Sequence, residues 1–259
     1  MIGNRLEGIL LDLHYEVHGN GKPVILVHSG GADMRDWGYL VPLLSENFYV
    51  IAFDGRGAGR SPSPVQPPNY VEDLLSLLDH LNISQAAVIG HSMGGRIATE
   101  FAIHYPERVS ELIVIAPALS GFPYSEEMQT YMLRVSAAAP DIEKMIELCI
   151  EPPSYEITRN RPERELMIHM LRHHFERTFT WSTFDSIWPE PSAMERLQEI
   201  SAKTLFIIGD HELPDNQQVG EQFRRVPSID FATIAGADHM VTLTHPEELS
   251  RHITKFVKE

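Results

Sequence analysis

The stretch Gly90-His91-Ser92-Met93-Gly94 decides the fold of this chain, because it places a serine between two glycines in a G-x-S-x-G pattern. It follows a run that predicts a strand, Ala86–Ile89, and precedes one that predicts a helix, Arg96–His104. A serine on a sharp strand-to-helix turn needs neighbours without side chains, and the glycines supply them. The dipole at the start of the following helix favours a developing negative charge. The pattern therefore predicts a nucleophile elbow carrying Ser92.

Strands and helices alternate on both sides of this motif. The predicted strands are Ile9–Leu13, Tyr15–Val17, Pro23–Val27, Tyr49–Phe53, Ala86–Ile89, Leu112–Ala116, Thr204–Ile208 and Ile229–Ile234. The predicted helices that alternate with them are Asp36–Ser45, Tyr70–Leu81, Arg96–His104 and Pro246–Val257. The first two strands are expected to be antiparallel. The alternation of the others predicts a parallel sheet with helices on both faces, which is the α/β class.

The alternation stops between residues 118 and 191. Three helices, Tyr124–Ala139, Ile142–Ile150 and Pro162–Phe179, are predicted there without a strand between them. We interpret this segment as a helical insertion into one core domain, built from residues 1–117 and 192–259. The proline-rich stretch Ser61–Pro68 is interpreted as a stiff surface connection.

Composition excludes several classes of protein. The 259 residues carry a net charge of −15, spread as −6, −5 and −4 over residues 1–118, 119–191 and 192–259, which argues against nucleic acid and anionic membranes as partners. The single cysteine, Cys149, excludes an internal disulfide and a cysteine-based metal site. Residues 1–5 show no apolar segment of signal-peptide length, which favours a cytoplasmic protein. We interpret the cluster of His169, His173 and His174 as part of a helix face that is exposed to solvent.

A serine nucleophile needs a base, and the base needs an acid that orients it. On a strand-turn-helix elbow the chain order is serine, acid, histidine. The best base candidate is His239, which follows the strand ending at Ile234. Three acids, Asp210, Glu212 and Asp215, lie in or near the loop after the strand ending at Ile208.

An oxyanion hole needs two backbone N–H groups that point at the developing negative charge. One is expected from the residue after the nucleophile, Met93. The other is expected from the loop His28-Ser29-Gly30-Gly31 after the strand Pro23–Val27, where glycine lets the backbone approach a ligand closely.

Taken together, these segments resemble the α/β-hydrolase family, in its serine-nucleophile branch. The segments that carry the resemblance are His28-Ser29-Gly30-Gly31 with Trp37, Asp54-Gly55-Arg56-Gly57-Ala58-Gly59-Arg60-Ser61, Gly90–Gly95, Tyr105-Pro106-Glu107-Arg108-Val109, Gly209–Glu212 and Asp238-His239-Met240. The resemblance implies the α/β-hydrolase fold and a Ser–acid–His triad. It also implies that the insertion 118–191 is a helical cap.

The resemblance also assigns individual residues. In the family the acid stands three residues after the glycine that ends the strand, which here is Glu212, with Asp210 as the alternative. The N–H of Gly30 would serve the oxyanion hole beside that of Met93. The serine at position 92 argues against the dehalogenase and epoxide-hydrolase branches, which use aspartate there. No cofactor and no metal are implied.

The cap segment is rich in methionine and aromatic residues, which favours an apolar roof over the site. We therefore expect a hydrolase that acts through an acyl-enzyme on a small or medium, largely apolar carboxylic ester or lactone. The sequence is similar to small esterases, enol-lactonases and cofactor-free haloperoxidases. Carbon–carbon bond hydrolases and perhydrolases, a lyase without an acyl-enzyme, and a ligand-binding signalling protein that retains the triad are the alternatives.

Overall fold

Seven strands form one sheet in the computed structural model, which describes residues 11–259. The strands are β1 (Tyr15–His18), β2 (Lys22–Val27), β3 (Phe48–Phe53), β4 (Ala86–His91), β5 (Val109–Ile115), β6 (Lys203–Gly209) and β7 (Ile229–Ile234). They confirm the predicted α/β class and all the predicted strands except Ile9–Leu13. Residues 9 and 10 of that segment lie outside the described residues. Leu11–Leu13 form no strand, and the following N–H of His14 donates to the Ser61 hydroxyl at 2.9 Å.

The helices surround this sheet. They are α1 (Leu40–Leu44), α2 (Tyr70–His80), α3 (Met93–His104), α4 (Glu126–Ala137), α5 (Ile142–Cys149), α6 (Glu156–Arg159), α7 (Arg164–Thr178), α8 (Ala193–Arg196), α9 (Pro214–Phe223), α10 (Val241–Thr244) and α11 (Pro246–Lys258). The helix predicted over Asp36–Ser45 is wrong as one unit. A 3₁₀ turn, Met34–Trp37, closes with the N–H of Gly38 on the carbonyl of Arg35, and α1 begins only at Leu40.

The order of the strands places the site. Across the sheet the order is β1-β3-β2-β4-β5-β6-β7, with β1 antiparallel and the others parallel. The chain leaves β2 toward β3 and then returns to place β4 on the other side of β2. In open parallel sheets, ligands bind at the carboxyl ends of strands where the order reverses. The loops after β2 and β4 therefore meet at the expected position of a binding crevice.

Apolar side chains pack on both faces of the sheet. Helices α2 and α3 cover one face with residues such as Leu74 and Phe101, and α1 and α11 cover the other with residues such as Leu40 and Ile253. The central strands are buried on both sides, as the continuous apolar runs predict. This packing holds the strand ends, and the loops that follow them, in fixed positions.

Between β5 and β6 the chain runs through α4 to α8, and residues 116–202 contain no strand. Polar contacts of Asp215 and Asp238 are among those that join this segment to the parts of the chain that follow β6 and β7. The carboxylate of Asp215 accepts from the N–H and the hydroxyl of Ser125, both at 2.7 Å. The carboxylate of Asp238 accepts from the N–H of Thr158 at 2.7 Å and from its hydroxyl at 2.6 Å.

The stretch Ser61–Pro68 is more than the surface connection that its composition predicts. The side chain of Ser61 is buried, and its hydroxyl donates to the carbonyl of Asp54 at 2.6 Å. Pro64 and Pro68 line a cavity.

Across residues 11–259, no helix combines the length and the apolar character that a membrane crossing requires.

Candidate active site

The turn between β4 and α3 holds Ser92 in a backbone conformation that few residues adopt, with φ at +53° and ψ at −113°. Such strain persists only where the surroundings enforce it, and it is concentrated at functional sites. Here the enforcement is steric. A Cβ atom on Gly90 would overlap the carbonyl of Gly94, and one on Gly94 would overlap the carbonyls of Val27 and His28. The elbow therefore forms only with glycine at both positions.

A continuous chain of hydrogen bonds leads away from Ser92. Its Oγ lies 3.0 Å from Nε2 of His239, and Nδ1 of His239 lies 2.6 Å from Oε2 of Glu212. The second carboxylate oxygen of Glu212 accepts from the N–H of Leu213 at 3.0 Å. The structure thus brings together three residues that stand 147 and 27 positions apart in sequence.

Burial and charge act in opposite directions on this pair. Burial raises the pKa of Glu212, but the neighbouring His239 and the hydrogen bonds to the carboxylate lower it by more. The pKa of Glu212 therefore lies below the ordinary value. Burial lowers the pKa of His239, but the charge and the hydrogen bond of Glu212 raise it above the ordinary value. Glu212 is therefore ionised at neutral pH and stabilises a proton on His239.

The other two acid candidates lie elsewhere. Asp210 is exposed, accepts from the N–H of Gly236 at 2.8 Å, and lies 3.7 Å from the His211 ring nitrogen. Asp215 accepts from Ser125, as described above, and shares no hydrogen bond with His239 among residues 11–259. Of the three carboxylates, only Glu212 contacts the imidazole of His239.

The two residues expected to supply oxyanion N–H groups are neighbours. A Cβ atom on Gly30 would lie 3.4 Å from Cβ of Met93, so the loop after β2 and the start of α3 face each other. Among the hydrogen bonds of residues 11–259, none uses the N–H of Gly30 or of Met93. Both donors are therefore available to a ligand beside Ser92.

A buried polar network lies behind the elbow, and sequence reasoning missed it. Nδ1 of His91 lies 2.8 Å from Oδ2 of Asp36, and Nε2 lies 2.8 Å from the carbonyl of His239. Asp36 also accepts from the N–H of Ser29 at 3.0 Å and from the hydroxyl of Thr242 at 2.7 Å. Burial raises the pKa of Asp36, but His91 and these hydrogen bonds lower it well below its usual range. The network connects the loop after β2, the turn that carries Ser92 and the main chain of His239.

Residues of the segment between β5 and β6 also hold the loop that carries His239. The N–H of His239 donates to the carbonyl of Ser154 at 2.9 Å. The preceding residue, Asp238, accepts from Thr158, as described above. Asn216 was likewise not foreseen. Its amide nitrogen lies 3.4 Å from Nδ1 of His239, and its hydrogen bonding lowers the pKa of Glu212. An aspartate directly before a candidate histidine was the one sequence signal for this anchoring.

Two neighbouring cavities open at the site. One, of about 390 Å³, is lined by Ser92, His239 and many apolar side chains, with Arg96, His174 and Asn216 also in its wall. We call it the catalytic cavity. The other, of about 300 Å³, lies on the far side of Gly30 and Met93, and we call it the adjoining cavity. Methionine and aromatic residues of the helical segment wall the catalytic cavity, among them Tyr124, Met128, Tyr131, Met132, Met167, Met170 and Phe175.

The histidines of α7 differ from the solvated face that the sequence predicted. His169 is exposed, as expected, but Nε2 of His173 lies 3.0 Å from the carbonyl of Gly59. His174 lines both cavities, and burial lowers its pKa to about 4. The prediction was wrong for these two because α7 packs across the core loops and not against solvent. In the part of the chain that the structure describes, no three His, Cys, Asp or Glu side chains are grouped as a metal site.

Comparison with known proteins gives the same class as the fold and the site geometry. The family model described as alpha/beta hydrolase fold matches residues 22–142. The protein named as carbamate hydrolase RutD in Caulobacter vibrioides (strain NA1000 / CB15N) is 25% identical over 276 aligned positions, covering 97% of each chain. The enzyme named 3-oxoadipate enol-lactonase 2 of Acinetobacter baylyi is 36% identical over 107 residues, covering 39% of this chain and 40% of that one.

Solved structures extend the agreement to nearly the whole chain. A thermophilic esterase from Thermogutta terrifontis superposes with a TM-score of 0.78 at 25% identity, over 95% of this chain and 93% of that one. With the seven-stranded sheet and the elbow, these similarities identify the class. The chain belongs to the α/β-hydrolase family, and it is a hydrolase.

Proposed function

We propose that this protein is a serine hydrolase that cleaves a small or medium carboxylic ester or lactone through an acyl-enzyme. Ser92 is the nucleophile, His239 the general base and Glu212 the acid that orients it. The observation that carries the proposal is the continuous hydrogen-bonded chain from Ser92 Oγ through His239 to Glu212, which opens into the catalytic cavity. Such a chain is what nucleophilic acyl transfer requires.

In the first half of the reaction, Ser92 Oγ attacks the carbonyl carbon while Nε2 of His239 takes its proton. Glu212 holds the imidazole in position through Nδ1 and stabilises the imidazolium that forms. The carbon–oxygen double bond becomes a single bond to an oxyanion. When this intermediate collapses, the bond to the leaving alcohol breaks, and the alcohol oxygen takes the proton from Nε2. The acyl group is then bonded to Ser92.

Water completes the reaction by the same steps. His239 takes a proton from a water molecule as the water oxygen attacks the acyl carbon, and it returns that proton to Ser92 Oγ as the acid leaves. In both halves the N–H groups of Gly30 and Met93 donate to the oxyanion. Their facing positions and their free hydrogens support this role.

The size and chemistry of the cavity support the proposed substrate. A volume of about 390 Å³ lies at the lower end of the range of pockets that enclose small ligands. We propose that residues 118–191 form the cap, because the apolar side chains that wall the cavity opposite Ser92 come from α4, α5 and α7. Methionine side chains adapt to ligands of different shape, which suits an acyl chain better than a rigid ring system.

The names of the similar proteins support the reaction type. A carbamate hydrolase, an enol-lactonase and an esterase all act at a carbonyl carbon that bears an oxygen or nitrogen leaving group. The proposal takes from them only this shared chemistry.

The test is a panel of p-nitrophenyl esters of increasing acyl length together with simple lactones. We expect turnover of short and medium esters, and a fall in kcat of at least about 10³-fold in Ser92→Ala, the residual rate coming from binding and the oxyanion donors. A fluorophosphonate should label the wild type at Ser92 and leave the Ser92→Ala variant unlabelled.

Other outcomes would identify the alternatives. Absence of turnover and of labelling would contradict acyl transfer and favour a ligand-binding protein. Cleavage of a vinylogous 1,5-diketone acid with no ester turnover would indicate a carbon–carbon bond hydrolase. Formation of a peracid from acetate and hydrogen peroxide, faster than ester hydrolysis, would indicate a perhydrolase.

A further inference from the structure

One permanently charged side chain lines the catalytic cavity. Of the described residues that form its wall, none is Asp, Glu or Lys, and Arg96 is the single arginine. The chain as a whole carries a net charge of −15, so a wall without a carboxylate and with one guanidinium differs from the average composition of the protein. The same residue also lines the adjoining cavity.

The position of Arg96 on α3 directs its side chain toward the nucleophile. It stands four residues after Ser92, and its N–H donates to the carbonyl of Ser92 at 3.1 Å. Side chains on a helix lean toward its N-terminus, so residue i lies over residue i−4. The Arg96 side chain therefore leans toward the turn that carries Ser92, and both residues line the catalytic cavity.

The guanidinium is held in place but is not neutralised. Its Cζ lies 3.5 Å from the centre of the Trp188 ring, and its Nε donates to the hydroxyl of Ser120 at 2.8 Å. Within residues 11–259, no ion pair involves Arg96 and no hydrogen bond uses its two Nη atoms. Neither Nη atom is among the enclosed polar atoms that lack a partner, so both remain accessible to a ligand.

Two other titratable side chains near Arg96, Glu100 and His174, bear on the charge of this wall. Glu100, one turn further along α3, contributes a negative charge, but it shares no ion pair with Arg96, and its Oε1 accepts from the N–H of Ala193 at 3.1 Å. His174 is the other titratable side chain that both cavities share. Since burial lowers its pKa to about 4, it is neutral at pH 7. The positive charge of the shared wall therefore comes from Arg96.

Arg56, which lines only the adjoining cavity, shows the contrasting case. Its guanidinium contacts Asp12 and Asp73, each through an Nη2 distance of 2.9 Å. Two carboxylates already occupy its donors, so it offers little to a ligand. Arg96 has the same chemistry without those partners.

From this arrangement we propose that Arg96 binds a carboxylate of the substrate, so that the preferred substrate is an ester or lactone with an apolar body and one carboxylate group. A guanidinium with two free Nη groups matches a carboxylate in a bidentate geometry. Its fixed position, with Trp188 on one face, reduces the entropy lost when that pair forms. This inference rests on the proposed function, because it names the substrate class of the same cavity.

Binding to a protein without its nucleophile tests the proposal separately from catalysis. The Ser92→Ala protein is titrated by calorimetry with monomethyl glutarate, a monoanion, and with dimethyl glutarate, its neutral counterpart. We expect the monoanion to bind at least tenfold more tightly. In Ser92→Ala/Arg96→Gln that ratio should fall to about one, and in Ser92→Ala/Arg96→Lys it should be intermediate. In Ser92→Ala/Arg56→Gln, the matched control, the ratio should be retained.

Equal binding of the two compounds to the Ser92→Ala protein would overturn the proposal, and that comparison needs no substitution at Arg96. Retention of the ratio in the Arg96→Gln protein would also overturn it. Neither result would affect the hydrolase proposal, which depends on ester turnover and on labelling of the wild type. Conversely, a protein that turned over no ester but preferred the monoanion through Arg96 would retain the binding site and lose the proposed reaction.

Discussion

Asp36 and His91 form a fully enclosed pair, with 2.8 Å between Oδ2 and Nδ1 and no solvent exposure on either side chain. The other ring nitrogen of His91 lies 2.8 Å from the carbonyl oxygen of His239. The His91 ring thus joins the carboxylate of Asp36 to the main chain of His239, and the same carboxylate accepts from the N–H of Ser29 and the hydroxyl of Thr242. The pair lies directly behind the loop that carries the base.

Removing one member of this pair should destabilise the protein strongly. We expect Asp36→Asn to lower the free energy of unfolding by about 1–3 kcal/mol, because the amide replaces an acceptor on which three buried groups converge and leaves one of them without a partner. Urea denaturation of the two proteins measures the difference. The matched control is Glu147→Gln, which removes an exposed carboxylate paired with Lys144 on α5 and should change stability little. Equal stability of Asp36→Asn and wild type would contradict the role of the Asp36 carboxylate as the shared acceptor of these groups.

The acid of the triad can be tested by comparing Glu212→Gln with Asp210→Asn. We expect the first to lower kcat by about 10³- to 10⁴-fold, since an amide no longer fixes the imidazole in the reactive tautomer or stabilises its cation. The second should retain most of the activity, because within residues 11–259 the carboxylate of Asp210 has polar contacts with Gly236 and His211 and none with His239. Glu212→Asp should fall between them, as its shorter side chain lengthens the 2.6 Å contact with His239. A larger loss in Asp210→Asn than in Glu212→Gln would assign the acid to Asp210.

The pH dependence of kcat/KM follows from the pKa of His239. The base acts in its neutral form, and Glu212 raises its pKa above the ordinary 6.5. Activity on a neutral ester should therefore fall as the pH drops through a midpoint above 6.5. In Glu212→Gln the negative charge is lost, so the midpoint of the remaining activity should move to lower pH. His174, with a pKa of about 4, should add no further limb between pH 5 and 9. An unchanged midpoint in the variant would show that Glu212 does not set this pKa.

Sequence analysis could predict the elbow, because one short stretch contains both the glycine pattern and the candidate nucleophile. The glycines around Ser92 stand within five residues of sequence, so the elbow is visible as a pattern before the chain is folded, although Gly94 is required by the carbonyls of Val27 and His28 and not by the turn alone. The family resemblance favoured Glu212 as the acid and left Asp210 as the alternative, because the sequence does not show which carboxylate contacts His239. That contact depends on how β6 and β7 pair and how their loops pack.

Sequence analysis missed several residues of the site for one physical reason. Asp36 and His91 are 55 positions apart, and each has an ordinary local explanation, one at the start of a helical turn and the other at the end of a strand. Arg96 looks like a common polar residue of an amphipathic helix until the cavity and its missing carboxylate partner are known. Pairings between distant residues carry no periodic signal, so they appear only once the chain is folded.

A pair of glycine substitutions separates the steric demand of the elbow from ordinary backbone strain. Gly94→Ala places a Cβ atom on the carbonyls of Val27 and His28, so β2 or the start of α3 must shift. We expect a loss of more than about 4 kcal/mol in stability, or no folded protein, which is in the range of severe core substitutions. Gly236→Ala is the matched control. It has φ at +68° and no atom within 4 Å of its Cβ, so only the conformational cost of about 1–2 kcal/mol remains. Circular dichroism and urea denaturation measure both, and a Gly94→Ala protein as stable as Gly236→Ala would show that the contact between β2 and α3 is not as close as the structure places it.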